Sequence, residues 1–401
     1  MRQSDTVSSR SFPSGHGPRF LLAYVALFIP FAVATPYFQR LLSMRGFDHY
    51  AIGVILGWFE FMAVVAPPIW GLLSDWSRKP RLVLALAIAG VAPSFLLFGT
   101  TSALLPAIGA AILFGFFYRP LVPLTDGVTF RCIHARGGDY GRIRIGGSIG
   151  FLVAVLMLEQ LGIAKDTTGR MILLAMMVAT GVHLFSVLII PHPPADTSRT
   201  DKVERKPRNF AALATRPLIM LTLCGFLGRI AMTSYYSFFT LYLQDVHQFR
   251  QAGYLWVLGP LSELPLIFFS RRIMDRIGVR SLFALGLVGI AMRLTGLGLA
   301  STIWLVIPLQ LLHCLTFGAF HTASVTYVSY SVPARLQSSA QTLFAGLTAG
   351  GGALVGGFLG GWVCRAWGFR PLYLSFSLFA VVALVVLFLF VPELPAQEET
   401  A

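Results

Sequence analysis

Charged side chains are scarce in this chain: Asp, Glu, Lys and Arg make up 12% of its 401 residues, about half of what a soluble domain carries. With 56% hydrophobic residues and a mean hydropathy of +0.72, this deficit excludes a water-soluble globular protein and makes lipid the solvent. Acids are the scarcer charge, 17 against 31 Lys and Arg, for a net charge of +14. A basic surplus can mark nucleic-acid binding, but here the bases cluster in short gaps between apolar runs, the pattern of membrane topology. Nucleic acid is therefore not expected as a partner. Cysteine is limited to Cys132, Cys224, Cys314 and Cys364, without Cys-x-x-Cys or Cys/His metal spacing, so these read as packing residues and no metal or other cofactor is expected. There is no P-loop, no Gly-x-Ser-x-Gly and no His-Glu-x-x-His, which leaves ATP-driven transport and hydrolase chemistry without support; the chain is not expected to be an enzyme. Strand-like alternation is missing as well, which excludes a β-barrel.

What is present is a series of apolar runs, each able to cross about 30 Å of hydrocarbon. They fall at 20–39, 51–73, 81–100, 103–128, 142–162, 170–190, 216–243, 251–270, 281–299, 302–328, 337–362 and 371–391. The expected fold class is an all-α integral membrane protein with twelve transmembrane helices in two six-helix bundles. The one long polar stretch inside the chain is rich in Pro and charge and reads as a linker at 191–215, dividing an N-terminal bundle (1–190) from a C-terminal bundle (216–391) with a short tail (392–401). Lys and Arg concentrate at the N-terminus, at Arg78, Lys79 and Arg81, at Arg131, Arg136, Arg142 and Arg144, in the linker, and at Arg271, Arg272, Arg276 and Arg280. The alternate loops hold only Arg40, Arg45, Lys165, Arg170, Arg250, Arg365 and Arg370. The positive-inside rule then puts both termini in the cytoplasm of a cell whose inner membrane holds the protein. The first 19 residues are polar and the first apolar run is long enough to stay as a span, so no cleaved leader is expected.

The two halves echo one another at an offset of about 200 residues. Gly71-Leu-Leu-Ser-Asp75-Trp-Ser-Arg78-Lys79-Pro-Arg81 has its counterpart in Arg271-Arg272-Ile-Met-Asp275-Arg276-Ile-Gly278-Val-Arg280; Phe38 pairs with Phe238, Gly53 with Gly253 and Gly150 with Gly350. Twelve spans in two repeats, with Gly-x-x-x-Asp-x-x-Arg-Lys between the second and third, resemble the major facilitator superfamily. That resemblance implies alternating access, with the loop residues Gly71, Asp75, Arg78, Asp275 and Arg276 making contacts that form on one side of the membrane and break in the other state. Plain topology signalling is the alternative reading of the basic residues. Tyr140-Gly141-Arg142-Ile-Arg144, Gly146-Gly147-Ser148-Ile-Gly150-Phe151, Glu263-Leu-Pro265 and Leu312-His313-x3-Phe317-Gly318-x2-His321 are similar to the phenylpropionate permease-like branch, a relative of lactose permeases.

Ionisable groups inside spans carry an insertion cost of roughly 2.5–3.5 kcal/mol each. Here they are Glu60, Asp126, Glu263, Arg119, Arg229 and Arg293, with Glu159 near a span end. Structural ion pairing and function are both open readings, but buried pairs stabilise poorly against apolar packing, and six of them favour function. Glu263 is the first candidate for loading and releasing a proton. The resemblance to lactose permease-like proteins groups it with Arg293 and His313, although Thr316 stands where those proteins carry a Glu; Asp126 or Glu60 is the alternative carrier. The same resemblance matches Asp126 and Arg144 to an acid and an Arg that hold sugar hydroxyls, with Phe151 in place of a stacking Trp. Arg144 reads equally as a headgroup anchor paired with Asp139. Arg119 lies seven residues from Asp126, about 10.5 Å along a helix and on nearly one face. With Tyr118, Phe116 and Phe117 it suits an anionic aromatic ligand, and Arg229 with Tyr235 and Tyr236 offers a second wall. Tyr37 and Glu60 complete the candidate substrate contacts; His321 is either a ligand contact or a core His. Gly-x3-Gly runs in the fifth and eleventh spans are expected to let the halves rock, and Pro30, Pro36, Pro120 and Pro123 to bend helices.

The function expected is secondary active transport of a small organic solute, an aromatic or other carboxylate, by a monomer in proton symport. A sugar or nucleoside symporter and an exporter of amphipathic compounds are alternatives, and a non-transporting membrane sensor is the alternative from another class.

Overall fold

The computed structural model describes residues 17–136, 140–191, 214–333 and 336–394. Nearly all of the expected linker and most of the tail lie outside the described residues, as do Asp139 and Arg335. The N-terminal half comprises α1 (Gly17–Met44), α2 (His49–Ser77), α3 (Pro80–Leu96), α4 (Leu104–Tyr118), α5 (Leu121–Arg136), α6 (Tyr140–Gln160) and α7 (Arg170–Ile189). The C-terminal half comprises α8 (Arg216–Asp245), α9 (Ala252–Ile277), α10 (Val279–Leu299), α11 (Ile303–Leu311), α12 (Phe320–Tyr330), α13 (Gln337–Ala345), α14 (Ala353–Trp367) and α15 (Phe369–Phe390). Eleven helical stretches among the described residues are long and apolar enough to span a bilayer, and α9, 26 residues long, completes twelve.

The irregular spans have local causes. The fourth breaks into α4 and α5 at Arg119–Pro120, where proline lacks the N–H that a continuous helix needs. Arg119 thus caps α4 while Asp126 lies in α5, and the two have different partners, Glu60 for Arg119 and Tyr24 and Tyr140 for Asp126. α1, by contrast, stays one helix through Pro30 and Pro36. The tenth and eleventh spans each contain a wide π-helical turn, at Cys314–Ala319 and at Gly346–Gly352, so each is two helices joined by an underwound segment.

The repeat is visible in how helix ends are closed. α2 is followed by Arg78 (φ 54°) and α9 by Gly278 (φ 83°), positive-φ residues 200 positions apart. Three residues beyond Arg78, Arg81 donates from Nε to the carbonyl of Val187 at 2.9 Å and from a terminal nitrogen to Leu188. Arg280 donates to the carbonyl of Phe388 at 2.7 Å. These carbonyls end α7 and α15 and have no partner within their own helices, so a guanidinium completes them and meets the negative end of the helix dipole. In each half the third span is thereby tied to the sixth.

The halves meet at the end of the bundle away from the termini. α2 crosses α14 through Gly53, Gly57, Gly357 and Gly361; a methyl group on Gly53 would lie 2.3 Å from the Gly357 carbonyl oxygen, so only glycine permits the approach. On the diagonal, Gln39 of α1 donates to the carbonyl of Tyr236 (3.2 Å) and accepts from the Thr240 N–H (3.1 Å), while the Thr240 hydroxyl donates to the carbonyl of Pro36 (2.7 Å). Arg365–Asp48 (3.1 Å) and His49–Asp245 (3.5 Å) close the rim. The glycines of the fifth span do a different job from the one expected: Gly146 and Gly150 press α6 onto α1 inside the N-terminal half, against the carbonyls of Leu21 and Val25.

Candidate functional site

Between the halves, at mid-depth, lies a cavity of about 310 Å³. α1 contributes Phe31, Thr35, Phe38 and Gln39; α2 contributes Phe59 and Glu60; Tyr118 and Arg119 come from the α4–α5 break; and Arg229, Tyr236 and Phe317 close it from the C-terminal half. Its volume falls at the small end of the range for small-molecule sites. Its charge comes from three side chains: the Glu60 carboxylate pairs with Arg119 on one oxygen and with Arg229 at 3.1 Å on the other. Arg119 lies over the Phe59 ring at 4.1 Å, and Arg229 over Tyr236 at 5.2 Å. One carboxylate against two guanidiniums leaves the site net positive. The Nε of each arginine is buried without a partner, and such donors have a use for an incoming acceptor.

Behind the C-terminal wall runs a buried chain. Glu263 Oε1 lies 2.8 Å from His313 Nε2, and His313 Nδ1 lies 2.8 Å from Arg293. A guanidinium only donates, so Nδ1 accepts and the ring proton sits on Nε2, facing Glu263. Arg293, with no solvent exposure, also donates to Thr316 (3.2 Å) and Gln310 (2.6 Å), and its guanidinium stacks 3.8 Å over Tyr235, whose hydroxyl donates to the same Gln310 oxygen. Neighbouring residues of α8 join the two sites, since Tyr235 touches this chain while Tyr236 lines the cavity. Phe317 provides a second joint, its ring lying between those of His313 and His321 at 5.8 and 5.5 Å.

Five of the expected substrate contacts line the cavity: Glu60, Tyr118, Arg119, Arg229 and Tyr236. Others are placed elsewhere. Asp126 accepts from Tyr24 and, at 2.9 Å, from Tyr140, while Arg144 lies 4.6 Å over Phe28. Phe28 stacks on Phe31, and Phe31 meets Tyr118, so a run of rings leads from Arg144 toward the cavity. Phe151 is buried with Ala32 and Val257, and Tyr37 donates to Glu159. At the other end of the bundle Asp75 pairs with Arg131 of its own half at 2.7 Å, Gly71 faces open space, and Asp275 and Arg276 sit in the last turn of α9. Gln39, Gln310 and Phe317 were not among the expected site residues. The two amides carried a usable signal, since an amide inside an apolar span demands partners; Phe317 carried none beyond its place between two histidines.

Two six-helix halves facing each other across a charged, aromatic cavity define a membrane transporter of the major facilitator superfamily, which is a carrier of small solutes and not an enzyme. Within that class, the chain belongs to the MFS_1 like family, whose model matches residues 20–375. It is 28% identical over 398 residues to the maltose permease of Geobacillus stearothermophilus, covering 95% of each chain. It is 25% identical to the probable 3-phenylpropionic acid transporter of Escherichia coli (strain K12), covering 91% of this chain and 94% of the relative. Its fold is similar to the crystal structure of the nucleoside transporter NupG, with a TM-score of 0.82 at 17% identity, over 93% of this chain and 98% of that one.

Proposed function

We propose that this transporter takes up a small organic carboxylate, with an aromatic acid as the best fit, in symport with protons, as a monomer in the inner membrane with both termini cytoplasmic. The observation that carries the reading is the cavity's charge: two arginines share one carboxylate among Phe31, Phe59, Tyr118, Tyr236 and Phe317. A substrate carboxylate satisfies the spare guanidinium donors bidentately, and its ring finds aromatic walls. The relative named for 3-phenylpropionic acid supports this chemistry. Glu263, relayed through His313 to Arg293, is the proton-carrying group, close enough to the cavity through Tyr236 and Phe317 to sense whether it is filled. The relative named as a maltose permease favours a second reading, a sugar symporter. A neutral sugar, however, leaves the positive charge of the cavity unmatched. Purified protein in proteoliposomes separates the two: an imposed inward proton gradient should drive accumulation of 3-phenylpropionate and not of maltose. Accumulation that persists without any proton gradient would remove the coupling, and maltose uptake without carboxylate uptake would reverse the substrate.

A further inference from the structure

Glu159 has no part in the cavity or in the Glu263 chain, yet it is 4% exposed and sits where the halves close. It ends α6 of the N-terminal half. Its Oε1 accepts from the Tyr37 hydroxyl of α1 at 2.8 Å and from the backbone N–H of Gly253, in the first turn of α9 of the C-terminal half, at 2.7 Å. The other oxygen, Oε2, is buried with no hydrogen-bond partner, and among the described residues no cation pairs with the carboxylate. The neighbouring cation is committed elsewhere: Arg40 donates to the carbonyls of Ile163 (3.1 Å), Ala164 (2.9 Å) and Asp166 (2.7 Å). The titratable and charged groups around the site are Tyr37 and Arg40 from α1, Asp166 from the α6–α7 loop, Arg250 from the α8–α9 loop and Tyr254 from α9.

An ionised carboxylate in such a place would leave one oxygen desolvated and unpaired, which a buried anion does not tolerate, whereas a carboxylic acid needs only one acceptor oxygen and carries its proton on the other. We propose that Glu159 is a proton-binding latch: it takes a proton onto Oε2 when the end of the bundle away from the termini closes, and releases that proton to the water on that side when the halves part. Gly253 is the other half of the device. A methyl group there would lie 2.5 Å from Glu159 Oε1 and 2.6 Å from the Tyr37 hydroxyl, so glycine lets an acid dock on backbone. Its counterpart in the repeat, Gly53, meets glycine backbone on α14. Of the two related crossings between halves, one is apolar and the other titrates. The latch is independent of which solute is carried, because it is built from residues outside the cavity.

The closed form binds one more proton than the open form, so the closed-to-open ratio rises as pH falls, by up to about tenfold per pH unit. The test is a distance distribution between spin labels on Thr167→Cys and Val246→Cys, exposed on opposite halves at this end, in the full chain with its native cysteines replaced. In the parent protein the population should move to the short distance between about pH 8 and about pH 5. E159Q, whose amide keeps the acceptor oxygen and needs no proton, should hold the short distance throughout, and G253A should hold the long one. Infrared difference spectra of parent minus E159Q at about pH 5, where the closed form dominates and an ordinary glutamate is still mostly ionised, should show one protonated carboxyl band. Distance distributions that shift with pH equally in parent and E159Q, closure of G253A on acidification as in the parent, or an ionised carboxylate in the difference spectrum would each overturn the proposal.

Discussion

Single side chains in this protein act by where their second atom goes. Glu263 reaches Arg293 through His313, so replacing it with Gln removes the carboxylate of that chain while leaving its shape. E263Q should abolish uphill accumulation in proteoliposomes and spare solute exchange; unchanged accumulation would take Glu263 out of the coupling. Asp166, outside the spans, shows the same logic in a stabilising role. Its carboxylate accepts from Thr168, Gly169 and Met171 at the start of α7. Burial pushes the Asp166 carboxyl up, but these donors together outweigh it and hold it below its ordinary range. A depressed folded value means stabilisation present above the unfolded value of about 4 and lost as pH falls through the lower folded one. D166A should therefore lower stability by about 1 kcal/mol at neutral pH, with the deficit shrinking below about pH 4. Thermal melts of detergent-solubilised protein across pH check this, and a pH-independent deficit would mean that packing, not the cap, was lost.

At the scale of elements, the spans were legible because apolar length is a one-dimensional property, and the class of fold follows from it with the loop charges and the repeat. The duplicated loop motif was legible too, but the role of Arg81 and Arg280 was not: each closes a helix that lies more than 100 residues further along the chain. The same limit hid the partners of Glu159 and Gln310. It also decides Asp126, whose expected neighbour Arg144 lies on a phenyl ring while two tyrosines take the carboxylate. Composition identifies a charge that needs a partner, and only the packing of helices decides which partner arrives. The α2–α14 crossing is the element that glycine alone permits. Gly53→Val would drive side-chain atoms into the Gly357 carbonyl, separating the helices at an overpacking cost of about 1–3 kcal/mol. Cysteine probes at the far end of the bundle should label faster in G53V than in the parent; equal labelling would mean that the crossing does not hold the halves together.

At the scale of the molecule, the halves share a plan and differ in chemistry. The N-terminal half gives the cavity Glu60 and Arg119, and the C-terminal half gives it Arg229 and backs it with the Glu263 chain. Orientation is the whole-molecule property that the distribution of Lys and Arg predicts: fluorescent protein fused after Ala401 should mature on the cytoplasmic side, and an enzyme reporter active only outside the cytoplasm should be silent there. Activity of that second reporter would invert the topology.

The paired ties from Arg81 to the end of α7 and from Arg280 to the end of α15 have a consequence for how the chain can be divided. Each fastens the last helix of its half to that half's own third span, and neither needs the residues between 192 and 213. A backbone cut there severs no such clasp, so two separately synthesised fragments would each keep their helix order and could reassemble into one carrier.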